Sequence, residues 1–261
     1  MKPDVVADIG NSRIKWGLCA DDRVERMARL PIEGPEAWEK QAKLWNLATG
    51  STWVLAGVQP QTLLRHAEWV RGRGDLVRVL MSWKDLSVQV QLDEPERVGL
   101  DRLLNGVAAK ERVKRSLAVL IVDAGSAVTI DWIDEGGRFR GGVIFPGCHL
   151  MAKALNDYTA LLPLVEIDWT NPPLPGNSTG GAIKAGVFWA VAGGIKATLR
   201  QLAARARWAE GPRLMQYKAT DPVVFLTGGN AELLAPVMDS WVIVWPEMTL
   251  EGIRIAAEGL S

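Results

Sequence analysis

The sequence predicts an α/β protein whose two related halves face one cleft. The main basis is a device that occurs twice, in which an apolar run leads into Asp, one further residue and Gly, closely followed by Ser. The copies are Asp8-Ile9-Gly10-Asn11-Ser12 and Asp123-Ala124-Gly125-Ser126, and nearly half of the 261 residues separate them. Predicted strands and helices alternate around both copies, as α/β domains require. We therefore expect one half over residues 1–115 and the other over residues 116–261.

Composition favours a soluble enzyme or binding protein. Hydrophobic residues make up 48% of the chain and charged residues 23%, which predicts a packed core. Lys plus Arg and Asp plus Glu both number 30, so no basic excess favours nucleic acid or an anionic membrane as the partner. The N-terminus lacks the layout of a secretory signal, and apolar stretches such as 117–122 and 186–195 are shorter than the ~20 residues of a membrane span. A cytoplasmic location is expected.

Apolar patterning and turn residues define the elements of the first half. A hairpin is predicted around Gly10-Asn11, and Asp21-Asp22-Arg23 turns into a third strand. Pro35 suits the first turn of a helix. In chain order, we predict strands over residues 3–7, 14–19, 24–30, 52–58 and 76–81, and helices over 37–47, over 60–71 and from about 103.

The second half repeats the strand–turn–strand–turn–strand beginning of the first. A continuous apolar run over 117–122 predicts a buried central strand, and Asn177-Ser178-Thr179 is predicted to cap a long helix that ends near residue 207. The other predicted strands are 127–133, 139–145, 223–226 and 242–245, and the other helices are 149–157, one from 231, and 249–258. The last helix has a second possible location, packed back on the first half.

The first Asp-x-Gly segment is a candidate phosphate loop. Gly10 permits a close backbone approach, and backbone N–H groups with Asn11 and Ser12 can surround a phosphate. Asp8 can hold a hydrated Mg²⁺ that bridges phosphate oxygens. Two cations lie nearby, Arg13 and Lys15. A tight turn with a local side-chain contact explains one copy alone better, but the matched second copy favours phosphate binding.

The second segment has the same parts. Asp123 ends a buried strand, where an unpaired carboxylate would be costly, so it is expected to face a cleft, a cation or donor groups. Ser126 and Thr129 add hydroxyl groups. Alternation along the strand puts Asp131 on the side of Thr129, although a position on the surface of the strand is an equal alternative.

Asp101 is the best candidate for a catalytic base. It follows Gly99 at the start of a predicted helix, and phosphoryl transfer to an alcohol needs a carboxylate that orients the hydroxyl and receives its proton. Arg102 could hold an anionic group of the substrate, such as a carboxylate. On spacing alone, a carboxylate that complements the helix dipole is at least as good an explanation of Asp101.

Other segments and residue types carry weaker signals of function. Thr227-Gly228-Gly229-Asn230, between a strand and a helix, would let a flat nucleoside approach the backbone, although such turns are common. His66 and His149 have no partner nearby in the sequence and are expected at the surface or lining a cleft. The 12 tryptophans are expected in the core or an interface. Cys19 and Cys148 form no disulfide framework or zinc motif, which predicts two reduced, buried thiols.

In their order and spacing, five segments resemble the type III pantothenate kinases. They are Asp8-Ile9-Gly10-Asn11-Ser12, Gly99-Leu100-Asp101-Arg102, Asp123-Ala124-Gly125-Ser126-Ala127-Val128-Thr129, Gly141-Gly142-Val143-Ile144-Phe145-Pro146-Gly147 and Thr227-Gly228-Gly229. Gly176-Asn177-Ser178-Thr179 and Leu250-Glu251-Gly252 also look like that family. The resemblance covers essentially the whole chain.

The resemblance implies an actin/sugar-kinase/Hsp70-like (ribonuclease H-like) fold, a homodimer, and phosphorylation of pantothenate to 4′-phosphopantothenate by ATP with Mg²⁺, the first step of coenzyme A biosynthesis. Asp101 would accept the proton. The pantothenate site would be lined by Gly99, Leu100 and Arg102, with Thr179 reaching it from the other half.

The resemblance also implies the nucleotide and cation sites. The first phosphate loop would comprise Asp8, Ile9, Gly10, Asn11, Ser12, Arg13, Ile14 and Lys15. ATP would also meet Ser126, Gly228 and Gly229. Asp123 would hold a monovalent cation, K⁺ or NH₄⁺.

The sequence departs from the family pattern at three positions. Leu92 stands where the family generally has a substrate-contacting Tyr, seven residues before the Gly of Gly-x-Asp-Arg. Gly181 replaces a usual Glu two residues after Thr179, and Ser126 replaces a usual Thr but keeps the hydroxyl.

Leu92 leaves two alternatives to a pantothenate kinase. One is a kinase of the same fold that acts on another small alcohol. The other is a non-enzymatic regulatory protein, similar to the Bvg accessory factor proteins. The retained side chains Asp8, Asp101, Arg102 and Asp123 argue against an inactive site.

Overall fold

The computed structural model describes residues 2–113, 117–168, 171–205 and 222–259. The chain forms two compact units, of which one comprises Met1–Lys114 and Glu247–Ser261 and the other Arg115–Pro246. The strands are β1 (Val5–Ile9), β2 (Ile14–Ala20), β3 (Arg23–Leu30), β4 (Thr52–Gly57), β5 (Leu76–Val79), β6 (Gln89–Val90), β7 (Val119–Ala124), β8 (Ala127–Ile133), β9 (Arg138–Pro146), β10 (Val223–Thr227) and β11 (Val242–Val244). The helices are α1 (Pro35–Leu44), α2 (Pro60–Gly72), α3 (Leu100–Arg112), α4 (Cys148–Asp157), α5 (Thr179–Arg205), α6 (Ala231–Leu234) and α7 (Met248–Gly259).

The first unit is built on a five-stranded sheet of order β3-β2-β1-β4-β5. The meander β1-β2-β3 is antiparallel, whereas β4 and β5 run parallel to β1. One face packs on α1 and α2 through a cluster that includes Trp16, Trp38 and Trp53. On the other face α7 approaches β1 and β2 closely, since a Cβ atom at Gly17 would meet both Val6 and Leu250.

The strands of the second unit follow the same plan. Their order is β9-β8-β7-β10-β11, with an antiparallel meander β7-β8-β9 and with β10 and β11 parallel to β7. Strand by strand, this is the order and direction of the first sheet, so the repeated Asp-x-Gly segment marks a repeated architecture. The prediction of two related α/β halves is confirmed.

The long helix α5 forms the core of the second unit. Ile183, Val187, Phe188, Val191 and Ile195 pack against the apolar side chains of β7, β8 and β10. By length and composition, α5 is the helix of the described chain that could cross a membrane. A core helix of a soluble protein meets the same criterion, and the buried side chains of α5 account for its apolar character.

The predicted elements that fall on described residues are present, with ends that shift by a few positions. The range 127–133 matches β8, and Pro35 and Pro60 are the first residues of α1 and α2, as their fixed φ favours. The long helix is described as far as Arg205, and its predicted last residues, 206–207, lie outside the described part of the chain.

The C-terminal helix lies in a different unit from the one assigned to it by the range 116–261. Residues 247–261 belong to the first unit, where Leu250, Ile253 and Ala257 are fully buried. A Cβ atom at Gly252 would collide with the backbone of Leu104, so α7 and α3 meet at close range. Burial of this apolar face against β1 and α3 outweighs the proximity of α7 in sequence to β11.

Candidate functional site

The first Asp-x-Gly segment joins β1 to β2 as a tight hairpin. The Gly10 N–H donates to the Arg13 carbonyl at 3.1 Å, and the Gln59 side chain donates to the Asn11 carbonyl at 3.2 Å. Asn11, Ser12 and Arg13 are exposed. The tip of the loop therefore offers polar side chains and backbone groups to a ligand.

Asp8 lies directly before this tip, opposite Lys15 in the β1–β2 register. The Lys15 ammonium is 3.6 Å from Asp8 Oδ2, and both side chains are mostly buried. Two opposite charges therefore lie close together at the base of the loop. Ile9 and Ile14 are fully buried in the core, so only their backbone groups face the loop.

Asp101 lies in the first turn of α3, where Gly99 precedes the helix. Its Oδ1 accepts a hydrogen bond from the Arg102 N–H at 2.9 Å. A Cβ atom at position 99 would lie 2.5 Å from that oxygen, which real Cβ atoms do not tolerate. Glycine at 99 therefore gives the carboxylate the space to fold back over the helix N-terminus. Leu100, Asp101 and Arg102 are all partly exposed, so a ligand can reach the segment.

The second Asp-x-Gly segment joins β7 to β8, and two glycine-containing segments of the same unit pack against it. The Gly125 N–H donates to the Ala127 carbonyl at 3.0 Å, and the Gly147 N–H donates to the Ser126 carbonyl at 3.0 Å. A side chain at 147 would collide with the carbonyl oxygens of Gly125 and Ser126. The Pro146-Gly147 motif is thus a support for the second loop.

Gly228 supports the same loop from the end of β10. Its φ is +96°, a conformation that favours glycine, and a Cβ atom there would lie 2.5 Å from Asp123 Oδ1. The next turn is fixed by the Asn230 N–H, which donates to the Ala124 carbonyl at 2.8 Å. The structure therefore places Gly228, a predicted ATP contact, directly beside Asp123, the predicted cation ligand.

A row of polar side chains crosses the sheet beside Asp123. Thr227 of β10 and Thr129 of β8 are its register partners on the two sides. Because register partners present their side chains to the same face, the three lie in one row. Asp131, two residues along β8, is on this face and is fully buried, so the expectation that it could be a surface residue is wrong.

The N-terminus of α5 borders a surface cavity of about 330 Å³. The lining residues are Pro173, Pro175, Gly176, Asn177, Ser178, Gly180, Gly181 and Lys184. The Ser178 hydroxyl accepts from the Gly181 N–H at 3.1 Å, which confirms the predicted cap. Thr179 is exposed on the first turn, and a Cβ atom at Gly181 would lie 3.1 Å from the Ser178 hydroxyl. In the first unit, Leu92 is partly buried just after β6.

Leu250-Glu251-Gly252, one of the segments that resemble the family, has a structural role. Glu251 is buried in the first unit, where it accepts from the Val24 N–H and from the Arg254 side chain, both at 2.7 Å. Gly252 permits the contact of α7 with α3. The Thr249 hydroxyl donates to Asn105 at 2.9 Å. Leu250-Glu251-Gly252 thus holds α7 against the rest of the first unit.

The position of His66 contradicts the prediction that it lies at the surface or lines a cleft. It is fully buried among Trp16, Trp38, Trp53 and Trp69, with ring centroids 4.6–6.1 Å from its own. The Trp16 indole N–H donates to His66 Nε2 at 3.1 Å, and burial lowers the pKa of His66 to about 3. His66 is therefore a neutral core residue, whereas His149 is exposed as expected.

The tryptophan prediction is confirmed for Trp16, Trp38, Trp45 and Trp53, which belong to the core of the first unit, whereas Trp83 and Trp245 are only partly buried. Trp169 and Trp208 lie outside the described residues. Both cysteines are free. Burial raises the pKa of the Cys148 thiol to about 11 and that of the partly exposed Cys19 to about 12. Neither is a thiolate nucleophile at neutral pH.

The described residues contain no group of three or more His, Cys, Asp or Glu side chains that could hold a metal ion. A divalent ion at Asp8 would take most of its oxygen ligands from water and from phosphate, as Mg²⁺ commonly does. The face that carries Asp123 also holds the hydroxyl groups of Thr129 and Thr227 and a second carboxylate, Asp131.

Comparison with known proteins gives a consistent result. A model of the family described as type III pantothenate kinase matches residues 5–201. A type III pantothenate kinase of Synechococcus sp. (strain JA-3-3Ab) is 32% identical over 256 residues, which cover 95% of this chain and 90% of that protein.

Solved structures show the same fold. A Campylobacter jejuni protein assigned to the Baf family of transcriptional activators has a TM-score of 0.58 at 19% identity, with 97% of both chains covered. A Sinorhizobium meliloti protein assigned as a 2-dehydro-3-deoxygalactonokinase has a TM-score of 0.52 at 13% identity, with 97% of this chain and 98% of the other covered. The actin/sugar-kinase/Hsp70-like fold expected from the sequence is confirmed.

Proposed function

The chain belongs to the type III pantothenate kinase family, and on that premise we propose that Asp101 receives the proton of the pantothenate hydroxyl as ATP transfers its terminal phosphoryl group. The reaction is the ATP-dependent phosphorylation of pantothenate in coenzyme A biosynthesis, and its product is 4′-phosphopantothenate. The regulatory alternative is not favoured, because the matching family model and the relative at 32% identity are kinases.

The observation that carries the role of Asp101 is the way its carboxylate is held. Gly99 leaves space for it over the first turn of α3, and the Arg102 N–H donates to Oδ1 at 2.9 Å. Oδ2 can then orient a substrate hydroxyl and accept its proton. Phosphoryl transfer relies mainly on positioning and charge neutralisation, so an oriented acceptor of this kind is the main requirement on the alcohol side.

The two Asp-x-Gly loops are proposed to hold ATP. In the first unit the exposed tip Asn11-Ser12-Arg13 would meet phosphate oxygens, with the neighbouring Lys15 adding positive charge. In the second unit Ser126 would donate its hydroxyl to phosphate, and Gly228-Gly229 would let the nucleoside lie against the backbone. Phosphoryl transfer from ATP generally needs a divalent ion, which neutralises phosphate charge, and Asp8 would hold it through water.

Pantothenate carries a carboxylate, and Arg102 is proposed to pair with it. Leu92, Gly99, Leu100 and Thr179 are proposed as further contacts of pantothenate, as the family pattern implies. Leu92 lacks the hydroxyl of the tyrosine usual in the family. We expect weaker binding of pantothenate than in a relative that keeps Tyr, with the same reaction.

A monovalent cation, K⁺ or NH₄⁺, is proposed at Asp123. The polar row beside this carboxylate fits such an ion, since its two register partners are hydroxyl residues. When bound, the cation would offset phosphate charge near the second loop. Asp123 itself would fix the position of the ion.

A homodimer and a cytoplasmic location remain predictions. Exposed apolar side chains in the second unit support an interface there; they are Ile144, Leu150, Tyr158, Leu161, Leu164 and Leu174. A nucleic-acid or membrane partner is not proposed, because the net charge is zero and the apolar helix α5 lies in a core.

The deciding experiment is direct mass-spectrometric detection of 4′-phosphopantothenate. Purified protein is incubated with pantothenate, MgATP and K⁺, alongside an Asp101→Asn variant and a Na⁺-only reaction. We expect product with the native chain and its loss in Asp101→Asn. Full turnover in the Asp101→Asn variant would refute the role of that carboxylate.

A panel of other small alcohols tests the substrate assignment separately from the kinase assignment. If the native chain binds ATP but makes no 4′-phosphopantothenate, and phosphorylates another alcohol, the substrate assignment fails while the kinase assignment stands. In that case Leu92→Tyr is the first variant to compare, because Leu92 is the pocket residue that departs from the family pattern.

A further inference from the structure

We infer that Gln59 is a positioning residue for ATP, because its side-chain amide holds the Asn11 carbonyl and so fixes the tip of the first phosphate loop. The inference rests on the proposed function, in which this loop binds phosphate. Gln59 belongs to no motif in the sequence. It lies 48 residues from Asn11, between β4 and α2.

The chain at the end of β4 runs alongside the first phosphate loop. Ile9 is the register partner of Gly57, and the Val58 N–H donates to the Ile9 carbonyl at 3.1 Å. A Cβ atom at Gly57 would lie 2.5 Å from that carbonyl oxygen, so glycine permits the close approach. In a parallel ladder of this register, the next N–H to face the loop is that of residue 60, and its acceptor would be the Asn11 carbonyl.

Residue 60 cannot supply that hydrogen bond. It is Pro60, which has no N–H and begins α2. The Gln59 side chain donates in its place, with Nε2 at 3.2 Å from the Asn11 carbonyl oxygen. The nitrogen end of the amide must face Asn11, because a backbone carbonyl accepts and cannot donate. A side-chain donor therefore extends the ladder one step beyond the backbone.

Gln59 occupies the N-cap position of α2, but its side chain does not cap the helix. N-cap positions favour Ser, Thr, Asp and Asn, whose side chains accept from the first helical N–H groups. The Gln59 side chain is directed to the loop instead, and the Thr62 hydroxyl donates to its Oε1 at 3.1 Å. Because Thr62 is buried, its hydroxyl is a fixed partner that keeps the amide turned towards the loop.

The hydrogen bond from Gln59 fixes the peptide that joins Asn11 to Ser12. This peptide is trans, and in a planar trans peptide the carbonyl and the following N–H point in opposite directions. With the carbonyl held towards α2, the Ser12 N–H points away from that helix. A released peptide can rotate and present its carbonyl oxygen, which repels phosphate. Gln59 therefore sets which backbone group the exposed loop tip offers to ATP.

The test compares neutral variants of two neighbouring glutamines. Gln59→Met removes the amide and keeps an unbranched side chain of similar length, and Gln61→Met, at an exposed position of α2, is the matched control. Binding of the non-hydrolysable analogue MgAMPPNP is measured by NMR titration without pantothenate. Steady-state formation of 4′-phosphopantothenate gives kcat and the KM values for ATP and pantothenate. Circular dichroism and melting temperatures verify folding.

We expect Gln59→Met to bind MgAMPPNP about fivefold more weakly, the usual effect of one hydrogen bond, and to raise the KM for ATP by a similar factor. The KM for pantothenate should stay native, and Gln61→Met should match the native chain. A merely structural defect would lower the active fraction, and so kcat, without raising the KM for ATP. Native affinity for MgAMPPNP in a folded Gln59→Met variant overturns the inference, as does a native chain that binds no MgAMPPNP.

Thr62 provides a second variant that does not touch the loop. Thr62→Val removes the hydroxyl that orients Gln59, whereas Thr62→Ser keeps it. We expect weaker binding of MgAMPPNP in Thr62→Val only, and no further loss when Thr62→Val is added to Gln59→Met, because the hydroxyl acts through the amide. If Gln59→Met does not fold, the two Thr62 variants decide, and equal affinities in them overturn the inference.

The binding and product assays separate this inference from the proposed function. A native chain that makes no 4′-phosphopantothenate, but whose affinity for MgAMPPNP falls in Gln59→Met as expected, refutes the proposed function alone. A chain that makes the product with the same KM for ATP in its native and Gln59→Met forms refutes the inference alone.

Discussion

Gly99 and Asp101 are related by a contact that leaves no room for a side chain at position 99. The carboxylate of Asp101 folds back over the start of α3, and a Cβ atom on residue 99 would be 2.5 Å from its Oδ1. Since the φ of Gly99 is −56°, the backbone conformation is open to any residue, and space alone requires glycine.

Exchange of Gly99 for Ala is therefore expected to displace the Asp101 carboxylate with little effect on the fold. We expect kcat to fall at least about tenfold, because the acceptor no longer points at the substrate hydroxyl. Gly72→Ala, at the end of α2 where an added Cβ meets nothing within 4 Å, is the control. Steady-state kinetics and melting temperatures of both variants check this, and native kcat in Gly99→Ala would contradict it.

Asp101→Asn should lower kcat by about 10²–10⁴-fold, the usual contribution of a positioned acid or base. Asn keeps an oxygen that can accept from the Arg102 N–H, so the melting temperature should stay close to native. Kinetic assay with pantothenate and MgATP provides the measurement. A large loss of stability with proportionate loss of activity would instead indicate a structural role at the helix end.

Gly228→Ala combines an unfavourable φ with a collision at Asp123, and we expect it to destabilise the second unit. A non-glycine residue in this region of φ costs about 1–3 kcal/mol before the collision is counted. The neighbouring Gly229→Ala is the control, since a Cβ there meets nothing within 4 Å and its φ is not left-handed. Urea unfolding of the two variants should show a lower midpoint for Gly228→Ala only, and equal midpoints would refute this account.

Burial of His66 should make the first unit less stable in acid. The pKa of His66 is about 3 in the folded chain against an ordinary value of 6.5, so between those values the unfolded chain binds a proton that the folded chain does not. The contribution is fully present above pH 6.5 and is lost as the pH falls, by up to about 1.4 kcal/mol per pH unit.

Unfolding of the native chain at pH 7.0, 6.0 and 5.0 measures this slope. In His66→Gln, which keeps an oxygen to accept from Trp16 but does not titrate, the slope should be smaller, while exposed His149→Gln should leave it unchanged. An identical slope in His66→Gln would exclude His66 as its source.

Local signals predicted the elements of the fold well. The hairpin at Gly10-Asn11, the prolines that begin α1 and α2, and the Ser178 cap of α5 all act over a few residues, where backbone preferences and capping dominate. The repeated Asp-x-Gly segment also predicted the repeated sheet, because strands of the same length and pattern follow each copy.

Features that depend on contacts distant in sequence were not predictable. His66 has a polar side chain, and nothing near it in the sequence shows that Trp16, Trp38 and Trp53 surround it. The row of Thr129, Asp123 and Thr227 exists because β10 and β8 flank β7, a strand order that the sequence does not reveal. The packing of α7 on the first unit also depends on contacts distant in sequence, and the sequence offered it only as an alternative location.

The sequence proposed Asp8, Asp101 and Asp123 as site residues, because carboxylates at the ends of strands or helices carry recognisable chemistry, and their roles stay predictions. It did not identify Gly147 or Gly228 as supports for the second loop, because their requirement for glycine comes from backbone atoms of other strands.

Because α7 packs in the first unit, the two units are completed in a fixed order during synthesis on the ribosome. Residues 247–259 supply buried Leu250 and Ile253, and the carboxylate of Glu251 that accepts from Val24. These residues are synthesised after the second unit, which is one continuous segment, Arg115–Pro246. The nascent chain therefore carries its first sheet without the cover of α7 until residues 247–259 have been made, although the second unit is by then complete. Contacts so distant in sequence form slowly, so the half of the enzyme made first is the half that matures last.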